Sequence, residues 1–214
     1  MSKTLMFRSV VFAAALFYCL RFIVVGEFDQ FAGPFRYFTV WGLFLATFAH
    51  SRTLLISLGR SRRRWDGFIG AAAVQNAMVV LLYWRLYFAD PMSVTSDGAL
   101  GRWWLEYYLH GLGPALLWLD ALLLHRGFRR PLVSVGWLAG IIVAYIAWIE
   151  WFVSRLATEP VGKLGAGFPY RFLNDLDFGG RTNFYISNFV VAVILLAVFS
   201  GVAWAIRRLG PAAR

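Results

Sequence analysis

The chain has 214 residues, 60% of them apolar and 15% charged, with a formal net charge of +10. A mean hydropathy of +0.63 excludes an ordinary soluble domain. The basic excess does not read as nucleic-acid binding, because no zinc spacing or aromatic–basic signature accompanies it.

Six apolar stretches, each about the 20 residues needed to cross a bilayer, fall at approximately 6–26, 36–57, 67–89, 102–125, 132–154 and 183–206. They predict an all-α, polytopic six-helix bundle as one membrane domain over 1–214, with no room for a soluble domain. Lys3 and Arg8 stand at the start of the first apolar run in the manner of a secretory signal. That run lacks a small-residue cleavage site at its end, so a retained helix is expected. The single cysteine, Cys19, lies inside it and carries no compartment information.

The second stretch opens with Phe35-Arg36-Tyr37-Phe38-Thr39-Val40-Trp41 and is followed by Gly59-Arg60-Ser61-Arg62-Arg63-Arg64. The third contains Gly70, Ala71, Ala72 and Ala73, small residues that permit close helix approach. Trp103, Trp104, Tyr107 and Tyr108 open the fourth, and Trp148 and Trp151 close the fifth, as at a headgroup boundary. Between these two lies Arg126-Gly127-Phe128-Arg129-Arg130-Pro131, and Arg207-Arg208 ends the sixth. The long connection 155–182 holds Pro160, Gly162, Gly165, Gly167 and Pro169, which argue against one regular helix. Its Phe168-Pro169-Tyr170-Arg171-Phe172-Leu173 is too aromatic for a solvated tether. A cap over the outer mouth of the bundle is expected there.

Placing the arginine-rich segments and the N-terminus in the cytoplasm puts thirteen basic residues on that side and eight outside, with nine of the eleven acidic residues outside. The positive-inside bias then makes both termini cytoplasmic, as an even number of spans requires. In this topology Arg21, Arg85, Glu106, His110 and Glu150 share the outer half of the membrane. Buried ionisable groups are costly there and are functional candidates by default.

Glu106 and His110 are one helical turn apart and share a face, so the carboxylate can orient the imidazole. His110 lies about 12 Å below Arg102 at a rise of 1.5 Å per residue. By the same count Thr39 is nearer the surface. A threonine hydroxyl becomes a nucleophile only beside a base, whereas most threonines in such helices bond back to their own backbone. Arg21, Arg85 and Glu150 are candidate substrate-binding residues, because an arginine fork matches a carboxylate. The alternative is that both arginines snorkel or pair with Glu150 and Glu106. Asp120, toward the cytoplasmic end, reads as structural, with Arg126 or Arg52 to neutralise it. His50 and His125 lie far from His110, so neither haem nor a metal site is expected, and no cofactor is required.

Several segments resemble the androgen-induced family of six-helix membrane proteins and its bacterial branch. Arg36-Tyr37-Phe38-Thr39 is similar to the family's aromatic-x-x-Thr entry, and Trp104-Leu105-Glu106-Tyr107-Tyr108-Leu109-His110 to its fourth-span histidine segment. Pro114 and Asp120 resemble features of the bacterial branch, while Tyr145 to Trp151 and Phe168 to Leu173 resemble its fifth span and following loop. Animal members are threonine hydrolases that cleave fatty-acid esters of hydroxy fatty acids. The animal enzymes carry an Asn-His pair where this chain has Glu106-Tyr107. The resemblance implies Thr39 as nucleophile and His110 as base, with Glu106 as the best local orienting group. It also implies membrane lipids or an amphiphilic ester as the partner, and a bacterial cytoplasmic membrane as the location. The competing expectation is a non-enzymatic carrier or binding subunit that uses the buried polar cluster as its binding site.

Overall fold

The computed structural model describes residues 2–95, 98–157 and 167–209, and the described residues form helices and connections without a strand. There are six main helices. They are α1 (Lys3–Val25), α2 (Phe38–Ser57), α3 (Asp66–Ala89), α4 (103–124), α5 (Pro131–Leu156) and α6 (Phe178–Leu209). Four of them, α1, α3, α5 and α6, are long and apolar enough to cross a membrane.

The helix α3 is the axis of the bundle: 72% of its most apolar window is buried, against 17–28% for the other three long helices. It packs against α2, α4, α5 and α6. The composition of α3 explains its place. Ala71, Ala72, Ala73 and Val74 are wholly buried and let four neighbours approach one backbone. The outward faces keep large apolar side chains such as Val10, Phe17, Ile186 and Val198 exposed.

The helix ends are set by local chemistry. Ser2 accepts the Leu5 N–H at 3.2 Å to start α1. At its other end Gly26 lets the chain fold back, since a Cβ there would collide with the Phe22 carbonyl and with Pro34. A 3₁₀ turn, Gly33–Arg36, follows, and α2 therefore starts at Phe38, two residues later than the sequence pattern suggests. Helix α6 starts at Phe178, five residues before the expected 183, with Asp177 accepting the Gly180 N–H at 2.7 Å.

Helices α4 and α5 are not regular. Wide π turns occur at Tyr108–Leu112, Asp120–Leu124 and Ile149–Val153. Each contains one of the buried or half-buried polar residues His110, Asp120 and Glu150. Such turns insert an extra residue and recur at functional sites.

Of the expected cap, Pro160, Gly162 and Gly165 lie outside the described residues. Residues 167–175 fold back on the bundle. Asn174, fully buried, accepts the Phe168 N–H at 3.0 Å and donates to the Phe168 carbonyl at 3.1 Å. Phe168 and Leu173 then pack on Tyr145, Ile149 and Val153 of α5.

Candidate active site

Thr39 and His110 meet. Thr39 Oγ1 lies 3.2 Å from His110 Nε2, although the two residues are 71 positions apart in the chain. The depth difference counted from the sequence does not keep them apart: Thr39 stands in the first turn of α2 and His110 in the wide turn of α4. Three aromatic donors hold that entry. The Trp41 and Trp148 indoles donate to the Phe35 carbonyl at 3.0 and 3.1 Å, and Tyr145 donates to the Arg36 carbonyl at 3.0 Å. From α3, Gln75 donates to the Phe38 carbonyl at 3.2 Å. Gly42 makes room for this reach, since a Cβ there would sit 2.9 Å from Gln75 Oε1.

His110 is set by the π turn. Its backbone lies outside the helical region at φ −109° and ψ 18°, and four residues on stands Pro114, which has no N–H to offer the His110 carbonyl. The Trp84 indole supplies the missing donor at 2.8 Å. The imidazole is buried and stacks on the Tyr83 ring, with centroids 3.5 Å apart and planes within 5°. Its Nδ1, facing away from Thr39, is 3.1 Å from Glu106 Oε2. The contact is an ion-pair approach rather than a well-aligned hydrogen bond. The same carboxylate oxygen accepts the Tyr83 hydroxyl at 2.8 Å.

This arrangement has a preferred proton pattern. An ionised carboxylate only accepts, so Glu106 favours the tautomer with hydrogen on Nδ1. Nε2 is then the acceptor toward the Thr39 hydroxyl, the orientation a general base requires.

Thr39 also lines a cavity of about 100 Å³. The walls are almost entirely apolar and aromatic, drawn from α2, α3, α5, α6 and the Tyr170–Leu173 segment. A second, much smaller void of about 10 Å³ touches Thr39, His50 and Asn76 and has room for about one water.

The remaining sequence candidates lie elsewhere. Arg85 is exposed on α3, and the Arg21 guanidinium sits 5.2 Å over the Trp104 ring; neither lines the cavity. Glu150 pairs with Arg181 at 2.8 Å and accepts the Tyr185 hydroxyl at 2.9 Å. Asp120 is neutralised by Arg8 at 2.8 Å, not by Arg52 or Arg126. Sequence reasoning passed over Tyr83, Trp84 and Tyr170. The only local signal concerned Trp84: a proline four residues after His110 leaves a carbonyl in need of a donor.

No curated protein matches the chain, and no solved structure does. The family model described as FAR-17a/AIG1-like protein matches residues 3–203. With a match across nearly its whole length, this helical chain, in which a threonine meets a buried histidine beside an apolar cavity, belongs to the FAR-17a/AIG1-like family.

Proposed function

We propose that the protein is a membrane-embedded hydrolase of fatty-acid esters, with Thr39 as nucleophile and His110 as general base. The observation that carries this reading is the 3.2 Å Thr39–His110 contact at the wall of an apolar cavity. In the proposed topology all six helices span the bilayer, both termini are cytoplasmic, and the site lies in the outer half. The arginine-rich connections at one end and the aromatic residues at the other support that orientation.

The reaction proceeds in two halves. Thr39 Oγ attacks the ester carbonyl while Nε2 takes its proton, forming a tetrahedral intermediate. As this collapses, the C–O bond to the leaving alcohol breaks and His110 returns the proton to that oxygen. Water then attacks the acyl-threonine with His110 again as base, releasing the fatty acid and restoring the hydroxyl. Glu106 keeps the imidazole oriented and stabilises its cationic form, and Tyr83 holds Glu106 in place. The apolar cavity accepts the acyl chain, and the one-water void beside Thr39 suits the second half-reaction.

The carrier reading has less support. An ion path would need charges facing one another along a route, whereas Glu150 is taken up by Arg181 and Asp120 by Arg8. The test is a fluorophosphonate probe on the purified protein in detergent, with the adduct located by mass spectrometry, alongside turnover of long-chain esters. Labelling of Thr39 that is lost in His110→Ala is the expected result. A folded protein that neither labels nor turns over any lipid ester overturns the hydrolase reading.

A further inference from the structure

We propose that Tyr170, carried on the segment between α5 and α6, is the oxyanion donor of the Thr39 site. Its phenol hydrogen-bonds the carbonyl oxygen of a bound ester as that oxygen takes up negative charge. The proposal rests on the ester-hydrolase reading above.

Attack on an ester creates an oxyanion, and a preorganised donor aimed at it is often the largest single contribution to catalysis. The arginines that the sequence offers for this task, Arg21 and Arg85, do not line the cavity. Among the described cavity-lining residues, five besides Thr39 carry a polar side-chain group: Tyr83, Tyr145, Tyr170, Tyr185 and Asn188. Four of these are occupied. Tyr83 donates to Glu106, Tyr145 to the Arg36 carbonyl and Tyr185 to Glu150, while Asn188 is tied to the Phe184 carbonyl of its own helix.

Tyr170 is bonded differently. Its hydroxyl accepts the Phe38 N–H at 3.0 Å, so its own proton is left for the hydroxyls beside it rather than for a fixed carboxylate or carbonyl. Phe38 immediately precedes the nucleophile, and the hydroxyls of Thr39 and Tyr145 both interact with that of Tyr170. The donor is therefore fixed to the same helical turn as the attacking oxygen. Burial pushes the Tyr170 phenol up to about 12, which keeps the proton in place at neutral pH. The Thr39 backbone N–H belongs to the first turn of α2, whose N–H groups have no intrahelical acceptor, and is suited to be a second donor. No proton is transferred: the phenol shares its hydrogen with the oxyanion and recovers it when the intermediate collapses.

The test compares Tyr170→Phe with wild type, Thr39→Ala and a set of fluorotyrosines placed at position 170. A long-chain 4-nitrophenyl ester serves as substrate at pH 7. Tyr170→Phe is expected to lower kcat about 10²–10³-fold with KM nearly unchanged. In the fluorotyrosine set kcat should change steadily with phenol acidity, a response that a purely structural tyrosine does not give. Where Tyr170→Phe fails to fold, the fluorotyrosine set decides alone, and a flat response overturns the proposal. A folded Tyr170→Phe with at least half the wild-type kcat also overturns it. If Thr39→Ala is inactive in that case, the hydrolase reading stands without Tyr170; if Thr39→Ala is fully active, the hydrolase reading itself falls.

Discussion

Two of the buried polar clusters, one toward each end of the bundle, are built from similar residue types and finished differently. Around Asp120 every charged atom is met. Oδ1 takes Arg8 Nε at 3.0 Å and Nη2 at 2.8 Å, Oδ2 takes the Thr53 hydroxyl at 2.6 Å, and Arg8 Nη1 donates to the Thr53 carbonyl and to Ser57. Arg8 is 5% exposed and Asp120 1%. The other cluster is strung in a line from Glu106 through His110 to Thr39, and its last member looks into an apolar cavity. A carboxylate, a nitrogen-bearing partner for it and a threonine occur in both. What separates a structural tie from a reactive constellation is whether the end of the chain of bonds closes on itself or opens on a void.

That contrast can be broken from either side. The largest effect is expected at the open end. Thr39→Ala should abolish ester turnover and phosphonate labelling, and His110→Ala should lower kcat about 10²–10⁴-fold, with thermal unfolding in detergent little changed in both. A fully active Thr39→Ala would remove the distinction altogether. At the closed end the effect should appear in stability. Asp120→Ala strands a buried Arg8 and should cost about 3–5 kcal/mol, read by chemical unfolding in mixed micelles, while the folded fraction keeps its specific activity. Replacing both partners by apolar residues of similar volume should restore most of that loss.

Smaller effects sharpen the comparison within the open cluster. Glu106→Gln keeps the shape but removes the charge that faces Nδ1, and a drop of about tenfold in kcat is expected, equivalent to ~1.4 kcal/mol. Turnover equal to wild type would take Glu106 out of the mechanism. Arg85→Ala, on the exposed side of α3, should leave both kcat and unfolding within about 0.5 kcal/mol of wild type. A large loss of activity there would show that the cavity is not the whole site.

Much of this architecture was readable from the residues, and the reasons for the failures are physical. Six apolar stretches and their arginine-rich connections locate the helices to within a few residues. Which face of each helix turns inward was not readable, because lipid and protein interior are both apolar. Phe17 and Val198 outside are as hydrophobic as Ile69 and Leu138 inside. Only small-residue runs such as Ala71–Ala73 mark a buried face. Glu106 and His110 were visible as a pair because they share one helix. The meeting of His110 with Thr39 joins two helices 71 positions apart, a tertiary contact that leaves no mark in hydropathy. Arg8 was missed as the partner of Asp120 because it lies 112 positions away, while Arg126, close in sequence, does not pair with it. Tyr170 lies in a segment that composition marks as irregular, and nothing in its neighbours tells which helix end it will touch.

The wide turn at Tyr108–Leu112 bears on how the chain tolerates change in length. It is in effect a single-residue insertion absorbed by a helix, so the residues beyond it stand about 100° away from where an unbroken regular helix of the same sequence would put them. With it, the upper half presents His110 to α2 and α3, and the lower half presents Asp120 to α1 and α2. Loss of one residue inside that turn would close it to a regular helix and leave Asp120 facing its partners. The same loss in the regular stretch between Gly113 and Leu119 would rotate Asp120 about 100° out of their reach. Two frame-preserving deletions that no hydropathy plot would tell apart would thus differ in whether the tie survives.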